Sequence, residues 1–436
     1  MSYEDARDHL NALGIDAMKG LSPSLHRMEA LCEALNHPER AIPAIHITGT
    51  NGKTSVARIV TSLLSVTGLS VGTYTSPHLQ TMRERIAHSG DPISEDVFGE
   101  MFDHIRPYLT LVEGRLGEKL TYFEVLTGLF FLWAAETPVD VAVVEVGLGG
   151  RWDATNVVTA PVSVLTNIGF DHTSMLGTDK KVIAKEKSGI IKEGSTAVVG
   201  ERAPDILEVI RAEAEPLGVP LSLIERDFVV NENVVAVGGR YVSVATSRQA
   251  YTDLFLPLHG SHQGTNAAVA LEAVTHFLPA QELEQDLVAQ GFAGCYVPGR
   301  LETVVPPSDS EPSVVVDVAH NPDGMSALVR GLVETFAFEK IVFVVGILAD
   351  KDHEGMLAEL TRLPCSLIVT EARSVRSVSA ADLGKAAEQL GLEHEVVEGV
   401  PAAVSRAVQA ASPGELVCVT GSHYVVGEAR DHLARI

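Results

Sequence analysis

The most constraining feature of the sequence is a short glycine-containing segment that lies between a strand pattern and a helix pattern. The apolar run 44–47 predicts a buried strand, which leads into Thr48-Gly-Thr-Asn-Gly-Lys-Thr-Ser55. From Val56 onward, apolar residues recur at helical spacing until Gly68 ends the pattern. Glycines let successive backbone N–H groups turn toward one anion, and a helix N-terminus adds unpaired donors and partial positive charge. The segment therefore predicts a phosphate-binding loop.

The side chains of this loop are suited to a phosphate and its counter-ion. Lys53 would place a full positive charge on the phosphates, and the hydroxyl of Thr54 or Ser55 could reach a Mg²⁺ ion. The spacing is the short Gly-x-x-Gly-Lys-Thr form, because the longer form needs a glycine where Ile47 stands. A glycine-rich turn without a chemical role is the alternative.

Size and composition restrict the class of protein. The 436 residues are 46% hydrophobic and 21% charged, which predicts two or three folded domains. A formal net charge of −24 argues against partners such as nucleic acid or an anionic membrane. Four widely separated cysteines predict buried, reduced thiols. The absence of a long apolar run and of a signal-peptide pattern predicts a cytoplasmic protein, and we expect a monomer.

Alternating strand and helix patterns predict an α/β fold with mostly parallel sheets that are covered by helices on both faces. Residues 1–40 predict two helices joined near Gly14–Pro23, 80–91 predicts a polar loop, and 220–257 predicts a small antiparallel excursion. The other predicted elements of the first domain are strands at 71–74, 139–146, 162–166 and 196–199, and helices at 94–117, 121–136, about 178–191 and 260–288.

A second series of strands and helices predicts a smaller domain. Residues 294–312 are rich in Gly, Pro and Ser and predict a linker, so we place the boundary between 296 and 297. The predicted domains are 1–296, a sheet that contains the phosphate loop, and 297–436, a Rossmann-like unit. The second domain has predicted strands at 313–318, 340–345, 366–369 and 415–419, and helices near 323–337, 353–362, 379–390 and 400–410.

Polar residues stand at the carboxyl ends of the predicted strands, where open α/β sheets bind ligands. Ser76, Glu145 and His172 would offer a hydroxyl, a carboxylate and an imidazole to a hard cation such as Mg²⁺. Glu145 interrupts the apolar run Val139–Val146, where an ionised carboxylate is costly unless it is paired or bound to metal. A salt bridge for Glu145 and an ordinary loop position for His172 are the alternatives.

Further polar segments have both an ordinary and a functional interpretation. Lys185-Glu-Lys187 would by default lie on a solvated helix face, and Asn266 lies in a segment that could either cap a helix or hold a base or ribose. Arg300 is either a surface arginine or a hinge residue that reaches phosphate when two domains close. Asp317 and His320 follow one predicted strand of the second domain, and Ser422 follows another.

Taken in order, these segments resemble the folylpolyglutamate synthase/dihydrofolate synthase family of the Mur-ligase-type enzymes, which form amide bonds with ATP. The resemblance extends over nearly the whole chain. Its carrying residues are 46–55, Tyr74-Thr-Ser-Pro-His-Leu79, Arg83-Glu-Arg-Ile86, Thr121-Tyr-Phe-Glu124, 145–156, Asn167-Ile-Gly-Phe-Asp-His172, 184–191, 260–267, Pro298-Gly-Arg-Leu-Glu302, Asp317-Val-Ala-His-Asn-Pro322 and Gly346-Ile-Leu-Ala-Asp-Lys-Asp352.

The resemblance implies a reaction and assigns residues to it. ATP would phosphorylate a carboxylate of a pterin acid, and the amine of L-glutamate would attack the acyl phosphate. The resemblance implies catalytic roles for Lys53, Lys187, Arg300 and His320. It implies that ATP is bound by Gly49, Thr50, Asn51, Gly52, Lys53, Thr54, Ser55, Asn266, Arg300 and Asp317, and that one or two Mg²⁺ are bound by Ser76, Glu145 and His172. It also implies that the pterin or folate is bound by Phe123, Arg151 and Asp153, and glutamate by His320 and Ser422. Lys187 becomes a candidate for carbamylation by CO₂.

The sequence departs from the usual pattern of this family at two places, and two rival functions are left open. The family more often has Gly-Lys-Gly-Ser in the loop, so either Thr54 or Ser55 could contact the metal, and Trp152 stands where an aliphatic residue is common. The rivals are a cell-wall Mur ligase and a nucleotide-binding regulator without ligase activity. The acceptor could be dihydropteroate, a reduced folate or both, and Arg151 and Asp153 favour a bifunctional enzyme.

Overall fold

The computed structural model describes residues 2–14, 24–278, 280, 282–308 and 311–435, in which helices and strands alternate as predicted. The helices are α1 (Tyr3–Leu13), α2 (His26–Ala34), α3 (Lys53–Val66), α4 (Glu95–Leu116), α5 (Tyr122–Glu136), α6 (Thr173–Leu176), α7 (Lys180–Lys187), α8 (Pro204–Ala214), α9 (His262–Phe277), α10 (Gln285–Ala293), α11 (Pro322–Thr335), α12 (His353–Leu360), α13 (Ala380–Gln389), α14 (Val400–Ala410) and α15 (His423–Leu433). Short 3₁₀ turns lie at Pro38–Arg40, Met82–Arg85, Ala154–Val157, Ser188–Ile190 and Glu215–Leu217.

The strands form two large sheets and one small sheet. They are β1 (Ala44–Thr48), β2 (Val71–Tyr74), β3 (Ile86–His88), β4 (Asp91–Pro92), β5 (Val141–Glu145), β6 (Val162–Leu165), β7 (Thr196–Val199), β8 (Leu221–Leu223), β9 (Val229–Ala236), β10 (Gly239–Ala245), β11 (Ala250–Leu256), β12 (Glu302–Val305), β13 (Ser313–Val316), β14 (Ile341–Val345), β15 (Cys365–Val369), β16 (His394–Val396) and β17 (Leu416–Thr420).

The first large sheet has the strand order β4-β3-β2-β5-β1-β6-β7-β8 and is parallel from β2 to β8. Strand β1 lies between β5 and β6, and all five of its residues are buried. Because the chain leaves β1 for β2 on one side and later reaches β6 on the other, the loop after Thr48 lies at a switch in strand order. Such a switch is where an open parallel sheet has its ligand crevice.

Helices cover both faces of this sheet, as the sequence predicts. One core contains residues of α3, α9 and α10 and of the small antiparallel sheet β11-β10-β9, and another contains residues of α1, α2, α4 and α5. Local capping explains where α5 begins, because the Thr121 hydroxyl accepts the backbone N–H of Glu124 and the Glu124 carboxylate accepts that of Thr121.

The second large sheet has the order β12-β13-β17-β14-β15-β16, and it is parallel except for β12. Separate apolar clusters cover its two faces. The predicted fold class, a mostly parallel sheet with a phosphate loop followed by a smaller Rossmann-like α/β unit, is confirmed. The boundary between 296 and 297 stays a prediction, although the large sheets fall on either side of it.

Three local predictions were wrong in whole or in part, each because short or edge strands carry little periodic signal. The polar loop 80–91 contains a 3₁₀ turn and the strands β3 and β4. Within 220–257, β9–β11 confirm the small antiparallel excursion, but β8 joins the large sheet in parallel beside β7. In the predicted linker 294–312, residues 302–305 form β12, an antiparallel edge strand.

Other parts of the sequence prediction agree with the structure. The two N-terminal helices are present, whereas most of the predicted joint between them, 15–23, lies outside the described residues. All four cysteines are unpaired thiols; Cys32, Cys295 and Cys418 are buried as predicted, whereas Cys365 is half-buried. Within the described ranges, no helix is long and apolar enough to cross a membrane.

Candidate active site

A cavity of about 870 Å³ lies where strands of both large sheets end. Most of the predicted site residues line this cavity. They are Thr50, Asn51, Gly52, Lys53, Thr54, Ser55, Ser76, Phe123, Glu145, Asp153, His172, Asn266, Arg300, Asp317, His320 and Ser422. Gly49 and Lys187 line a small adjoining cavity that shares Thr50, Lys53 and His172 with the large one. Of the predicted set, Arg151 lines neither cavity.

The phosphate-type loop is packed so tightly that only glycine fits at two positions. Gly49 has φ +150° and Gly52 has φ +82°, in the region that favours glycine. A Cβ atom on Gly49 would lie 1.8 Å from Oγ1 of Thr166, and one on Gly52 would lie 2.6 Å from Oδ1 of Asn266. The backbone of the loop is therefore held against β6 and the start of α9.

Two lysine amines converge on one carbonyl oxygen of this loop. Lys53 Nζ donates to the carbonyl oxygens of Gly49 at 3.1 Å and Thr50 at 3.2 Å, and Lys187 Nζ donates to that of Gly49 at 2.8 Å. Burial lowers the pKa of both amines, and burial together with the charge of Lys53 brings the pKa of Lys187 to about 7. A cluster of buried cationic groups at a phosphate-type loop fits a polyanionic ligand.

Glu145 is a buried carboxylate at the end of β5, and within the described residues it forms no ion pair. Its oxygens accept the Thr54 hydroxyl at 3.0 and 3.1 Å and the backbone N–H of Ser76 at 3.2 Å. Burial raises the pKa of Glu145, because these neutral donors and the more distant Lys53 compensate its charge only in part. A hard cation bound here would satisfy the carboxylate, and Thr54, rather than Ser55, is the hydroxyl that donates to that carboxylate.

His172 lies across the same cavity with φ +50° at the start of α6. Burial lowers its pKa to about 3, so the imidazole is neutral, and its Nε2 lies 3.5 Å from Nζ of Lys351. Among the residues described, no group of three or more His, Cys, Asp or Glu side chains is arranged to hold a metal ion. The protein thus offers a hydroxyl, a carboxylate and an imidazole, and phosphate oxygens and water would complete a Mg²⁺ shell.

The C-terminal half contributes a second set of polar groups. Asp317 accepts the backbone N–H groups of Leu301 and Ala319, each at 2.8 Å. The guanidinium of Arg300 extends to within 3.5 Å of the Thr54 hydroxyl. Ser422 begins α15 by accepting the backbone N–H of Val425. Arg300 therefore lies inside the cavity beside the loop, which is the hinge-type position considered for it.

A charged cluster that the sequence does not reveal joins the two halves. Asp171 accepts a hydrogen bond from Lys351 and lies 3.3 Å from Nε2 of His320. Burial alone would raise the pKa of Asp171, but the hydrogen bond with His320 and the nearby cationic groups lower it well below its usual range. Beside this cluster, Asn51 and Asn321 exchange side-chain amide hydrogen bonds. Lys351 belongs to the segment 346–352, but nothing in its spacing relates it to Asp171.

The other end of the cavity is aromatic and less charged. Phe123 covers Gly147 so closely that a Cβ there would lie 2.5 Å from the ring. Asp153 is buried and accepts the backbone N–H of Leu148 at 2.8 Å, while Trp152 also lines the wall. Arg151 turns away and binds Glu213 at 2.5 Å. The structure therefore brings Phe123 and Asp153 together and leaves Arg151 outside.

Comparisons with known proteins agree with this architecture. The family model for the Mur ligase middle domain matches residues 47–274, and that for the Mur ligase glutamate ligase domain matches 299–423. Both halves of the cavity therefore lie in Mur ligase domains, and the chain is an ATP-dependent amide ligase by class.

Individual relatives identify the family within this class of ligases. A dihydrofolate synthase/folylpolyglutamate synthase of Mycobacterium tuberculosis is 40% identical over 95% of this chain and 91% of its own length. A Bacillus subtilis enzyme of the same name is 34% identical over 99% of both chains. The chain belongs to the dihydrofolate synthase/folylpolyglutamate synthase family.

Solved structures agree with this membership. A Mycobacterium tuberculosis folylpolyglutamate synthase complexed with ADP and AMPPCP matches with a TM-score of 0.91 at 40% identity, covering 95% of this chain and 96% of that one. An Escherichia coli FolC structure in complex with DHPP and ADP matches with a TM-score of 0.87 at 30% identity, covering 99% and 98%.

Proposed function

We propose that this protein uses ATP to join L-glutamate to a pterin acid and that it accepts both dihydropteroate and a reduced folate. The observation that carries the proposal is the single cavity lined by Lys53 and Thr54 of the phosphate-type loop, Phe123 and Asp153 of the aromatic end, and His320 of the C-terminal half. Family membership supports the same reaction, because relatives at up to 40% identity carry both activities in their names.

The first step brings anions together. A carboxylate oxygen of the acceptor attacks the γ-phosphorus of ATP, the bond to the β-phosphate oxygen breaks, and ADP leaves. Lys53 and Arg300 stabilise the charge that develops on the phosphates, while Asn266 and Asp317 contact the nucleotide. Ser76, Glu145 and His172 would hold Mg²⁺, with Thr54 bonded to Glu145, and the bound ion would supply further neutralisation of the phosphates.

The second step joins the amine to the activated carbonyl. The amino group of glutamate attacks the acyl phosphate, the bond to phosphate breaks, and the amine loses a proton to a base. His320 is our candidate for that base once its Nε2 separates from the Asp171 carboxylate, because Nδ1 donates to the Val318 carbonyl and only Nε2 can accept the proton. With Ser422 it is also our candidate for contact with glutamate, because both lie at strand ends of the C-terminal half and face the cavity. Closure of the two halves excludes water, which would otherwise hydrolyse the acyl phosphate.

Lys187 is our candidate for a carbamylated lysine. A pKa of about 7 leaves much of the amine neutral at physiological pH, and a neutral amine can attack CO₂. The resulting carbamate would place an anion beside the loop, where it could support a second Mg²⁺.

One assay tests the main proposal. Purified protein receives ATP, Mg²⁺ and labelled L-glutamate with either dihydropteroate or tetrahydrofolate, and both the labelled product and ADP are measured. We expect ADP and product in equal amounts with each acceptor. Product with one acceptor would remove the bifunctional proposal, and product with neither would overturn the ligase proposal.

We also propose that the protein is a cytoplasmic monomer. Light scattering of the purified chain measures its mass in solution and so tests whether it is a monomer.

A further inference from the structure

Arg85 is a buried cation at the cavity that the proposed reaction does not yet use. It ends the 3₁₀ turn Met82–Arg85, is 5% exposed and lines the wall near Ser76 and Tyr424. Its Nε donates to Nδ1 of His78 at 2.9 Å. Because an arginine Nε can only donate, Nδ1 of His78 accepts this bond and is unprotonated, so this partner carries no charge that could compensate the guanidinium.

The two arginines that are as little exposed as Arg85 in the described chain, Arg27 and Arg240, are ion-paired, whereas Arg85 is not. Arg27, which lines the same cavity, pairs with Glu124 at 3.0 Å, and Arg240 pairs with Glu334 at 3.1 Å. Arg85 has no carboxylate within ion-pair distance among residues 2–14, 24–278, 280, 282–308 and 311–435. The nearby carboxylate of Glu84 instead accepts the backbone N–H groups of residues 79–81. A buried guanidinium without an anion is costly, and its planar donors match a carboxylate.

Tyr122 adds a second group at the same place, since its hydroxyl proton has no acceptor among the described residues. Its ring lies against the Arg85 guanidinium, with 5.4 Å from Cζ to the ring centroid, and it lines the cavity. Its hydroxyl is buried without a hydrogen bond of ordinary geometry to the described residues. Burial raises the pKa of this hydroxyl despite the nearby Arg85 charge, so it stays a donor. A cation and a hydroxyl donor therefore face the same part of the cavity.

We propose that Arg85 and Tyr122 bind the α-carboxylate of the terminal glutamate of a folate acceptor. The inference rests on the proposed ligase function. Dihydropteroate ends in the carboxylate that reacts and has no second one, whereas a folate keeps its α-carboxylate free while its γ-carboxylate reacts. Arg85 is thus a specificity-determining residue that favours acceptors already carrying glutamate.

A pair of probes that differ by one glutamate tests this assignment. Pteroate and pteroylmonoglutamate are titrated calorimetrically into the full chain with ADP and Mg²⁺, for wild type, Arg85→Gln, Arg85→Lys and Tyr122→Phe. We expect Arg85→Gln to weaken binding of pteroylmonoglutamate by about tenfold more than binding of pteroate. Arg85→Lys restores part of this difference, because it keeps the charge, and Tyr122→Phe loses a smaller part of it.

Arg83→Gln is the matched control. Arg83 lies in the same turn but lies outside the cavity lining and donates to the backbone oxygen of Ile93 at 3.0 Å. Equal weakening of both probes by Arg85→Gln would overturn the assignment and indicate contact with the reacting carboxylate. A raised KM for free L-glutamate with unchanged probe binding would also overturn it. Tyr122→Phe keeps the test valid if Arg85→Gln does not fold. Failure of wild type to bind either probe would instead count against the ligase proposal.

Discussion

The two ends of the cavity are built by different means. At the phosphate end, one continuous loop supplies the backbone, and two lysines and one arginine supply charge around it. At the aromatic end, Phe123 and Asp153 come from segments that are separate in sequence and line the same cavity only because the chain folds. The backbone and Lys53 of the first end come from a local motif, and Lys187 and Arg300 add charge from distant segments, whereas the second end depends on shape. Substitutions at the phosphate end should therefore have the larger effects on catalysis.

The largest effect is expected for Lys53→Ala. Removal of this charge should lower kcat by about 10³-fold, because charge on the transferred phosphoryl group loses its nearest cation. Turnover is measured by ADP release with saturating acceptor, and circular dichroism checks the fold. Lys181→Ala, an exposed lysine at the start of α7, is the control. Substantial activity in Lys53→Ala would contradict the assigned role.

Glu145→Gln should reduce kcat by about 10²-fold. It should also abolish the rise in melting temperature that Mg²⁺ gives with ADP, because the carboxylate that would hold the ion is gone. Without metal, the variant should melt above the wild type at pH 7, since a buried unpaired carboxylate has been removed. Glu136→Gln, in a surface pair with His104, serves for comparison. A Mg²⁺ response that persists in Glu145→Gln would place the metal elsewhere.

Lys187→Met should lower kcat by about 10²-fold and should change how stability depends on pH. The folded-state pKa of Lys187 is about 7 and the unfolded value is 10.5, so the unfolded chain binds more protons between these values. Wild-type stability should therefore rise across that window, relative to Lys187→Met, by about 1.4 kcal/mol per pH unit. Urea unfolding in CO₂-free buffer measures this difference. Lys185→Met, an exposed neighbour on α7, should show no such trend.

The smallest effects are expected at the aromatic end. Phe123→Ala should raise KM for the acceptor by about tenfold, because the ring that covers Gly147 is lost. Arg151→Gln should change KM by less than about threefold, since its side chain binds the surface carboxylate of Glu213. Steady-state kinetics with tetrahydrofolate measures the KM of both variants. An equal or larger effect of Arg151→Gln would show that this arginine moves into the cavity during turnover.

The contrast between a contiguous loop and a site assembled from distant segments also explains which features the sequence could predict. The strand, loop and helix around Lys53 are contiguous, so local periodicity and glycine placement were sufficient. Glu145 was recognisable because one carboxylate interrupted an apolar strand. The Asp171–Lys351 contact joins residues that are far apart in sequence, and single-sequence patterns carry no distance information of that kind. Arg85 belonged to a quoted motif, but only the fold reveals that it lacks an anionic partner.

The turn at Ser76–Leu79 has a mechanical consequence. At one end, the Ser76 N–H holds the Glu145 carboxylate. At the other, Leu79 packs against the core of the C-terminal sheet, where Gly427 approaches its carbonyl so closely that an added Cβ would lie 2.1 Å away. Four residues thus connect the Glu145 end of the cavity to the opposite half. A displacement of α15 would disturb the contact at Leu79, and the same short segment carries the N–H that holds Glu145.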